Sequence, residues 1–426
     1  MFIITIFTLI FFVYINYNLY KKDFIAPAVI YPFALLCPAL YALFWYNLWE
    51  LSTYSIKTYF VILVSLIFFS FSSRIVYNFM NGKKILQHKD KFDRSLNIDS
   101  KTPIPTGKGK LLFILLLEFI TLKMALSFFL SYGDNLSSAI ITYRVNFVNG
   151  GEKMPKILSI LLNCLMVSSY YSSYIFINNL LCSKKIEFGW AIAFLGGILL
   201  SLFGGSRGGA VSIIFVAAGI FFVIYQHNPR KVSKKKLKLK FFRILILFIV
   251  IGFVFFVASA TWIGRSNDFS PFYYFAIYLS APLKNLDLYI PIIDSGVKEL
   301  GFMDVNGASL GNVGTVLTYE YQQGGFIGVM SMSSISSIVY TFIYIYMRKW
   351  QYESKKINFS LIFYSYIFYS ICIVMFGNTS FTSVFSFFFI KILFAMILMN
   401  YLFNLNFNTK SLVWKIGKTY NIFCLR

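Results

Sequence analysis

Apolar residues in this chain do not alternate with polar ones; they run together. Eleven stretches read as continuous apolar runs: 2–20, 25–48, 57–80, 111–131, 157–181, 188–204, 208–226, 241–261, 324–347, 357–377 and 380–403. A helix of about 20 such residues rises ~30 Å, enough to cross the hydrocarbon core of a bilayer. In lipid a helix also satisfies its own backbone hydrogen bonds. The pattern therefore predicts an all-α, polytopic integral membrane protein with about 11 transmembrane helices, forming a single transmembrane domain over 1–426. A further stretch, 272–293, is apolar but broken by Lys284 and Asp287 and punctuated by Pro271, Pro282 and Pro291. We read it as an aromatic-rich helix lying at the outer interface, or dipping back into it. It falls within a long outer loop that carries short interfacial helices.

Composition sharpens this picture. Of 426 residues, 58% are hydrophobic and 13% charged, where soluble domains carry roughly 25% charge. That excludes a soluble enzyme, a disordered chain and a disulfide-stapled secreted domain. The net charge of +23 would suggest nucleic acid in a soluble protein, but here it sorts by loop. Loops 21–24, 81–110, 182–187, 227–243 and 348–356, with the tail 404–426, hold 28 bases and 6 acids; the alternate loops hold 8 and 9. One orientation, N-terminus outside and C-terminus inside, satisfies the positive-inside rule throughout. Loops 81–110 and 227–243 are then basic cytoplasmic loops placed against anionic lipid, and nucleic acid is not an expected partner. The cysteines are scattered, and both histidines, His88 and His227, fall in inner loops. Neither a metal nor a cofactor is expected.

The outer loops 132–156 and 262–323, with the short link at 204–209, form the expected active face. In that link four glycines flank Ser206 and Arg207. Glycine lets backbone approach a ligand, and a helix start at 208 favours an anion. A guanidinium there suits a lipid-borne diphosphate. The alternative is a tight helical hairpin with a snorkelling arginine. Arg144, Arg207 and Arg265 come from different outer loops, so they can converge on one anionic site or act as separate interface anchors. An outer general base must be a carboxylate; Asp287 and Glu320 are the least casually placed, while Asp294, Glu299 and Asp304 read as solvated. Within the spans, Arg74 and Glu118 lie at matching depths, which predicts a structural ion pair between them. Lys123 and Lys391 lie deeper without an obvious partner; Lys391 either faces a lipid-carrier groove or acts as a tether.

The order of these features resembles a family. Many spans, a Gly-Ser-Arg-Gly link between two central spans and a long outer loop lead to Asn-x-x-Thr, then to Gly-x-x-Gly entering a late span. This is similar to the Wzy-type oligosaccharide repeat-unit polymerases of O-antigen and capsule synthesis. The residues concerned are Gly205, Ser206, Arg207 and Gly208; the stretch from Tyr278 through Asp287 to Tyr289; Asn312, Thr315 and Tyr319; and Gly325 with Gly328. Members often carry an acid just before the last Gly-x-x-Gly. This chain has Gln322 and Gln323 there, which leaves Glu320 as the nearest acid.

The resemblance implies a metal-independent glycosyl transfer at the outer face of a bacterial cytoplasmic membrane. Undecaprenyl-diphosphate-linked oligosaccharides are then both donor and acceptor, with membrane lipids, a chain-length regulator and a flippase as partners. Arg207, Arg144 and Arg265 would hold the diphosphate with Gly205, Ser206 and Gly208. Asn312 and Tyr319 would bind substrate, and Glu320 or Asp287 would take the hydroxyl proton. Tyr143, Tyr273, Tyr274 and Tyr319 would stack on sugar faces. Three other readings remain. A flippase for lipid-linked oligosaccharide suits Arg74, Lys123 and Lys391 but not the long outer loop. An O-antigen ligase is mechanistically close, yet its pattern often includes an outer histidine. A carrier-dependent transferase of single sugars tends to place acids in the first outer loop, where this chain has only Glu50.

Overall fold

The computed structural model describes residues 1–45, 53–80, 103–104, 107–148, 150–151, 153–183, 186–204, 207–227, 258, 271–297, 300–305, 308–311, 313–349, 356–377 and 384–404. Among these, the chain forms α1 (Phe2–Leu19), α2 (Pro27–Trp45), α3 (Ile56–Met80), α4 (Lys108–Phe129), α5 (Leu136–Val148), α6 (Lys156–Ser183), α7 (Phe188–Ser201) and α8 (Gly208–His227). There follow α9 (Pro271–Asp294), the strands β1 (Met303–Val305) and β2 (Ala308–Gly311), then α10 (Val316–Lys349), α11 (Phe359–Cys372) and α12 (Phe387–Asn404). Helices α1, α3, α4, α6, α8, α10 and α12 are long and apolar enough to cross a membrane; α2, α7 and α11 are apolar but shorter. Large apolar side chains such as Phe79, Phe119 and Phe387 stand exposed on them, the surface expected of helices solvated by lipid tails. The expected span 241–261 lies outside the described residues, apart from position 258.

Hydroxyl groups set the register of α3 against α10. Ser65 meets Ser333 at 2.9 Å, Ser337 donates to the Phe69 carbonyl at 2.5 Å, and Ser73 meets Thr341 at 2.7 Å. Both helices advance four residues per rung and in the same direction, so they run parallel. Small polar side chains allow close approach, and each interhelical hydrogen bond in lipid contributes about 0.6 kcal/mol.

Helix α10 is two helices. Its backbone is non-helical at Gly324 and Gly325, where Gly325 takes φ +56° and ψ −137°, a conformation that essentially only glycine adopts. Ser333 reaches Glu320, 13 residues away, at 2.8 Å; on one straight helix these positions would be ~20 Å apart. A side-chain carbon on Gly328 would lie 2.2 Å from the Glu320 carbonyl. Residues 316–323 are thus a short leg folded back against the long one. The Gly-x-x-Gly pair divides the work, since Gly325 makes the reversal and Gly328 lets the legs touch.

Two expectations are corrected here. Helix α9 is a single helix of 24 residues and not a short one. Along its length it meets the ends of other helices: Phe275 packs on Tyr41 near the end of α2, and Tyr278 on Phe376 just beyond α11. Asp287 binds Ser55 at the start of α3. A helix with such partners runs across one end of the bundle. The β1–β2 hairpin covers its other side, with Met303, Val305 and Leu310 against Ala276, Ile277 and Ala281. The stretch is apolar because protein buries it on both faces. The second correction concerns Arg74 and Glu118. Arg74 instead donates to the Leu19 carbonyl at 3.0 Å, capping α1, and lies over the Tyr77 ring. Glu118 faces α7, where Gly196 leaves room for its carboxyl group. The two helices present these groups to different neighbours, so matched depth does not bring them together.

Candidate functional site

The end of the bundle crossed by α9 gathers most of the described candidate residues. Arg207 is the N-cap of α8, its carbonyl accepting from Val211 N–H at 2.9 Å. The side chain is buried, and its guanidinium lies 5.1 Å from the centre of the Tyr278 ring. Tyr278 in turn packs on Phe376. A cation held over an aromatic face at a helix N-terminus keeps its planar fork oriented for an anion. Gly208 follows as the exposed first residue of α8. Gly205, Ser206, Arg265 and Asn312 lie outside the described residues, as do the side chains of Tyr273 and Tyr274.

The two stretches that carry the family resemblance are joined side by side. The Asn285 amide group donates to the carbonyls of Leu310, Gly311 and Val313 at 3.3, 3.5 and 2.8 Å. Tyr289 donates to the Gly301 carbonyl at 2.8 Å. These bonds fix the entry to α10, where Thr315, Thr318 and Glu320 are all buried and Tyr319 is half-buried beside Gly377.

Asp287 has its acceptor positions occupied. One oxygen accepts from Ser55 N–H at 2.7 Å and from the Thr58 hydroxyl at 2.6 Å; the other accepts from the Lys284 ammonium at 2.6 Å. Burial pushes its pKa up, but the bonds from Lys284, Thr58 and Ser55 outweigh that and hold it below the usual carboxylate value. A carboxylate held in this way ties α9 to the start of α3 and is poorly suited to accept another proton. Asp294 is half-exposed; Lys57 pairs with it, Tyr321 donates to it at 2.8 Å, and the Lys57 bond leads the lowering of its pKa.

Glu320 is different. Its hydrogen bond among the described residues comes from Ser333, which is bonded to Ser65, which is bonded to Tyr31 at 2.6 Å. A buried carboxyl group thus ends a chain of hydroxyls crossing α2, α3 and both legs of α10.

Tyr143 and Arg144 lie together on α5. Tyr143 is a buried core ring packed against Phe128, Phe129 and Tyr132, and its hydroxyl accepts from Met154 N–H at 3.0 Å. A ring enclosed in that way is not offered to a sugar. Arg144, next to it on α5, is half-buried. Lys123 and Lys391 are exposed on the apolar surfaces of α4 and α12.

Lys284, Asn285, Thr315 and Thr318 were not among the expected site residues. The available signals were a Lys-Asn-x-Asp run inside an apolar helix and a Thr-x-x-Thr pair at a helix start. The fold and this end define a polytopic all-α membrane protein with a buried polar assembly closing one end of its bundle. No family model, curated protein or solved structure matches the chain.

Proposed function

We propose that the chain polymerises undecaprenyl-diphosphate-linked oligosaccharide repeat units into a surface polysaccharide. The reaction takes place at the outer face of a bacterial cytoplasmic membrane, in the manner of the Wzy-type polymerases. The observation that carries this reading is the Arg207–Tyr278 stack beside the joined stretches 278–289 and 308–319. It gathers a buried guanidinium fork and a polar assembly at one end of the bundle. The parallel course of α3 and α10 supports the orientation, because the charge pattern has both crossing from outside to inside.

In this reading a sugar hydroxyl of the acceptor unit attacks the anomeric carbon of the donor glycan. The new glycosidic C–O bond forms as the bond to undecaprenyl diphosphate breaks. Arg207 neutralises the departing diphosphate, a role that preorganised cations perform without a metal. Glu320 takes the hydroxyl proton. Asp287, with its acceptor positions filled, positions α9 and is not the base.

The test is the surface-glycan length profile of a deletion strain complemented with wild type or Arg207→Ala at equal membrane abundance. Deletion should leave single repeat units, and Arg207→Ala should fail to restore the ladder. Accumulation of repeat units only on the inner leaflet would overturn the reading in favour of a flippase. That alternative draws support from the broken helix α10, since discontinuous helices line transport sites.

A further inference from the structure

Three buried polar atoms at the entry to α10 have no hydrogen-bond partner among the described residues: Asn285 Oδ1, Thr315 Oγ1 and Thr318 Oγ1. Their residues are 0%, 0% and 1% exposed. Buried polar groups are nearly always paired, and each one left unpaired costs roughly 1–3 kcal/mol. Three at one helix entry form a built feature. They are grouped around the same two peptide units. Asn285 holds the Val313 carbonyl at 2.8 Å. The Thr318 hydroxyl sits 3.0 Å from where a side-chain carbon on Gly314 would lie. Thr315 caps the leg, its carbonyl accepting from Thr318 N–H at 3.1 Å.

The chemistry of the trio selects its ligand. The Asn285 amide cannot turn round, because its NH₂ is held by three carbonyls; the group left over is an acceptor with no proton to give. An acceptor-only oxygen opposes a phosphate. Lys284, next to Asn285 in sequence, is neutralised by Asp287, and the trio itself carries no charge to bind a metal cation. Each threonine hydroxyl can both donate and accept. One acceptor with two such hydroxyls complements neighbouring hydroxyl groups on a ring.

We propose that Asn285, Thr315 and Thr318 bind the hydroxyls of a sugar residue of the lipid-linked glycan. The inference rests on the polymerase reading and deepens it by assigning a sugar subsite at the entry to α10. The leg that carries both threonines is bounded by Gly311 at φ +68° and Gly325 at φ +56°, with open space where a side chain would project from either. Sites built to hydrogen-bond hydroxyls discriminate strongly, because loss of a partner leaves buried groups unpaired.

The test compares wild type, the double variant Thr315→Val and Thr318→Val, and the double variant Thr315→Ser and Thr318→Ser. Valine keeps the shape and removes the hydroxyl; serine keeps the hydroxyl. The probe is the lipid-linked oligosaccharide pool extracted from the deletion strain, added to purified full-length protein in nanodiscs. The pool should raise the Tm of wild type and the serine variant but not of the valine variant. In cells the valine variant should lose at least tenfold in long polymer at equal abundance. If the valine variant shows a wild-type ladder and a wild-type Tm response, the sugar subsite is wrong while the polymerase reading stands. If deletion leaves the ladder intact yet the pool still stabilises wild type and not the valine variant, the subsite stands and the polymerase reading fails. If sodium alone gives the stabilisation, or the valine variant is simply more stable with or without the pool, the trio holds a cation or ordered water and the proposal is overturned.

Discussion

The two ends of the α3–α10 pair are built from the same materials to opposite effect. At one end Asp23 accepts from Tyr344 at 2.6 Å, from Arg348 at 2.7 Å and from Ile25 N–H at 3.1 Å. Tyr20 bonds Ser73, which bonds Thr341, and Tyr364 donates to the Ile25 carbonyl. None of these side chains leaves a buried polar atom without a partner. At the other end Asp287 is equally engaged, yet Asn285 Oδ1, Thr315 Oγ1, Thr318 Oγ1 and the Tyr54 hydroxyl have no partner among the described residues. Saturated polar networks fix structure, whereas buried groups left wanting a partner mark a place where something else binds. Asp23 and Asp287 are corresponding staples, and only the second stands beside unfinished chemistry.

The largest expected effect separates these staples by burial. Asp287→Ala leaves the Lys284 ammonium, 2% exposed, without its carboxylate, and should cost roughly 3–5 kcal/mol. Asp23→Ala leaves Arg348, which is 36% exposed, with access to water, and should cost less, about 1–3 kcal/mol. Chemical denaturation of both purified variants reads the difference; equal losses would erase the comparison. Next in size is Gly328→Ala, which drives a methyl group into the Glu320 carbonyl and should cost about 1–3 kcal/mol. Gly196→Ala is a useful partner variant, because it meets only the Glu118 side chain. Ser333→Ala removes the Glu320 bond and should cost about 1–2 kcal/mol, with loss of polymer exceeding that of Ser337→Ala, whose hydroxyl only joins the ladder. Lys57→Ala breaks a pair that is about 40% exposed on each side and should change stability by less than ~1 kcal/mol.

Acid sharpens the same contrast. The Asp287 pKa is held below its ordinary value of 3.8. The unfolded state therefore binds its proton first as pH falls. The stability it contributes is complete well above pH 3.8 and is lost as pH drops through its lower folded value. Asp287→Asn should remove that part of the acid-unfolding slope, measured by denaturation between pH 5 and pH 3. An unchanged slope would mean that its three donors do not hold the charge.

Much of this architecture is legible in the sequence. Long apolar runs predict ten of the observed helices because lipid imposes one solution on such runs. The helix start at Arg207 and the reversal next to Tyr319 and Glu320 are legible too, since a helix N-terminus and a Gly-x-x-Gly pair carry local signals. The stretch 272–293 illustrates the limit. Apolar composition reports burial without saying whether lipid or protein does the burying, and only the hairpin laid over α9 distinguishes them. Arg74 and Glu118 show a second limit, because matched depth says nothing of the direction in which a side chain points. Asp287 reads as a candidate base until its three donors appear, each from a residue that sequence distance or an ordinary helix hides. Asn285 has only the Lys-Asn-x-Asp run to mark it in the sequence; its significance comes from the three carbonyls that fix which way its amide faces.

The most direct test of the central claim is polymerisation by the purified full-length chain in nanodiscs, supplied with the lipid-linked repeat units that accumulate in the deletion strain. The account predicts a glycan ladder that forms in the presence of a metal chelator, releases one undecaprenyl diphosphate per bond formed, and disappears with Arg207→Ala. Unchanged single repeat units with a well-folded wild-type protein, or transfer of those units across a vesicle bilayer without bond formation, would contradict it.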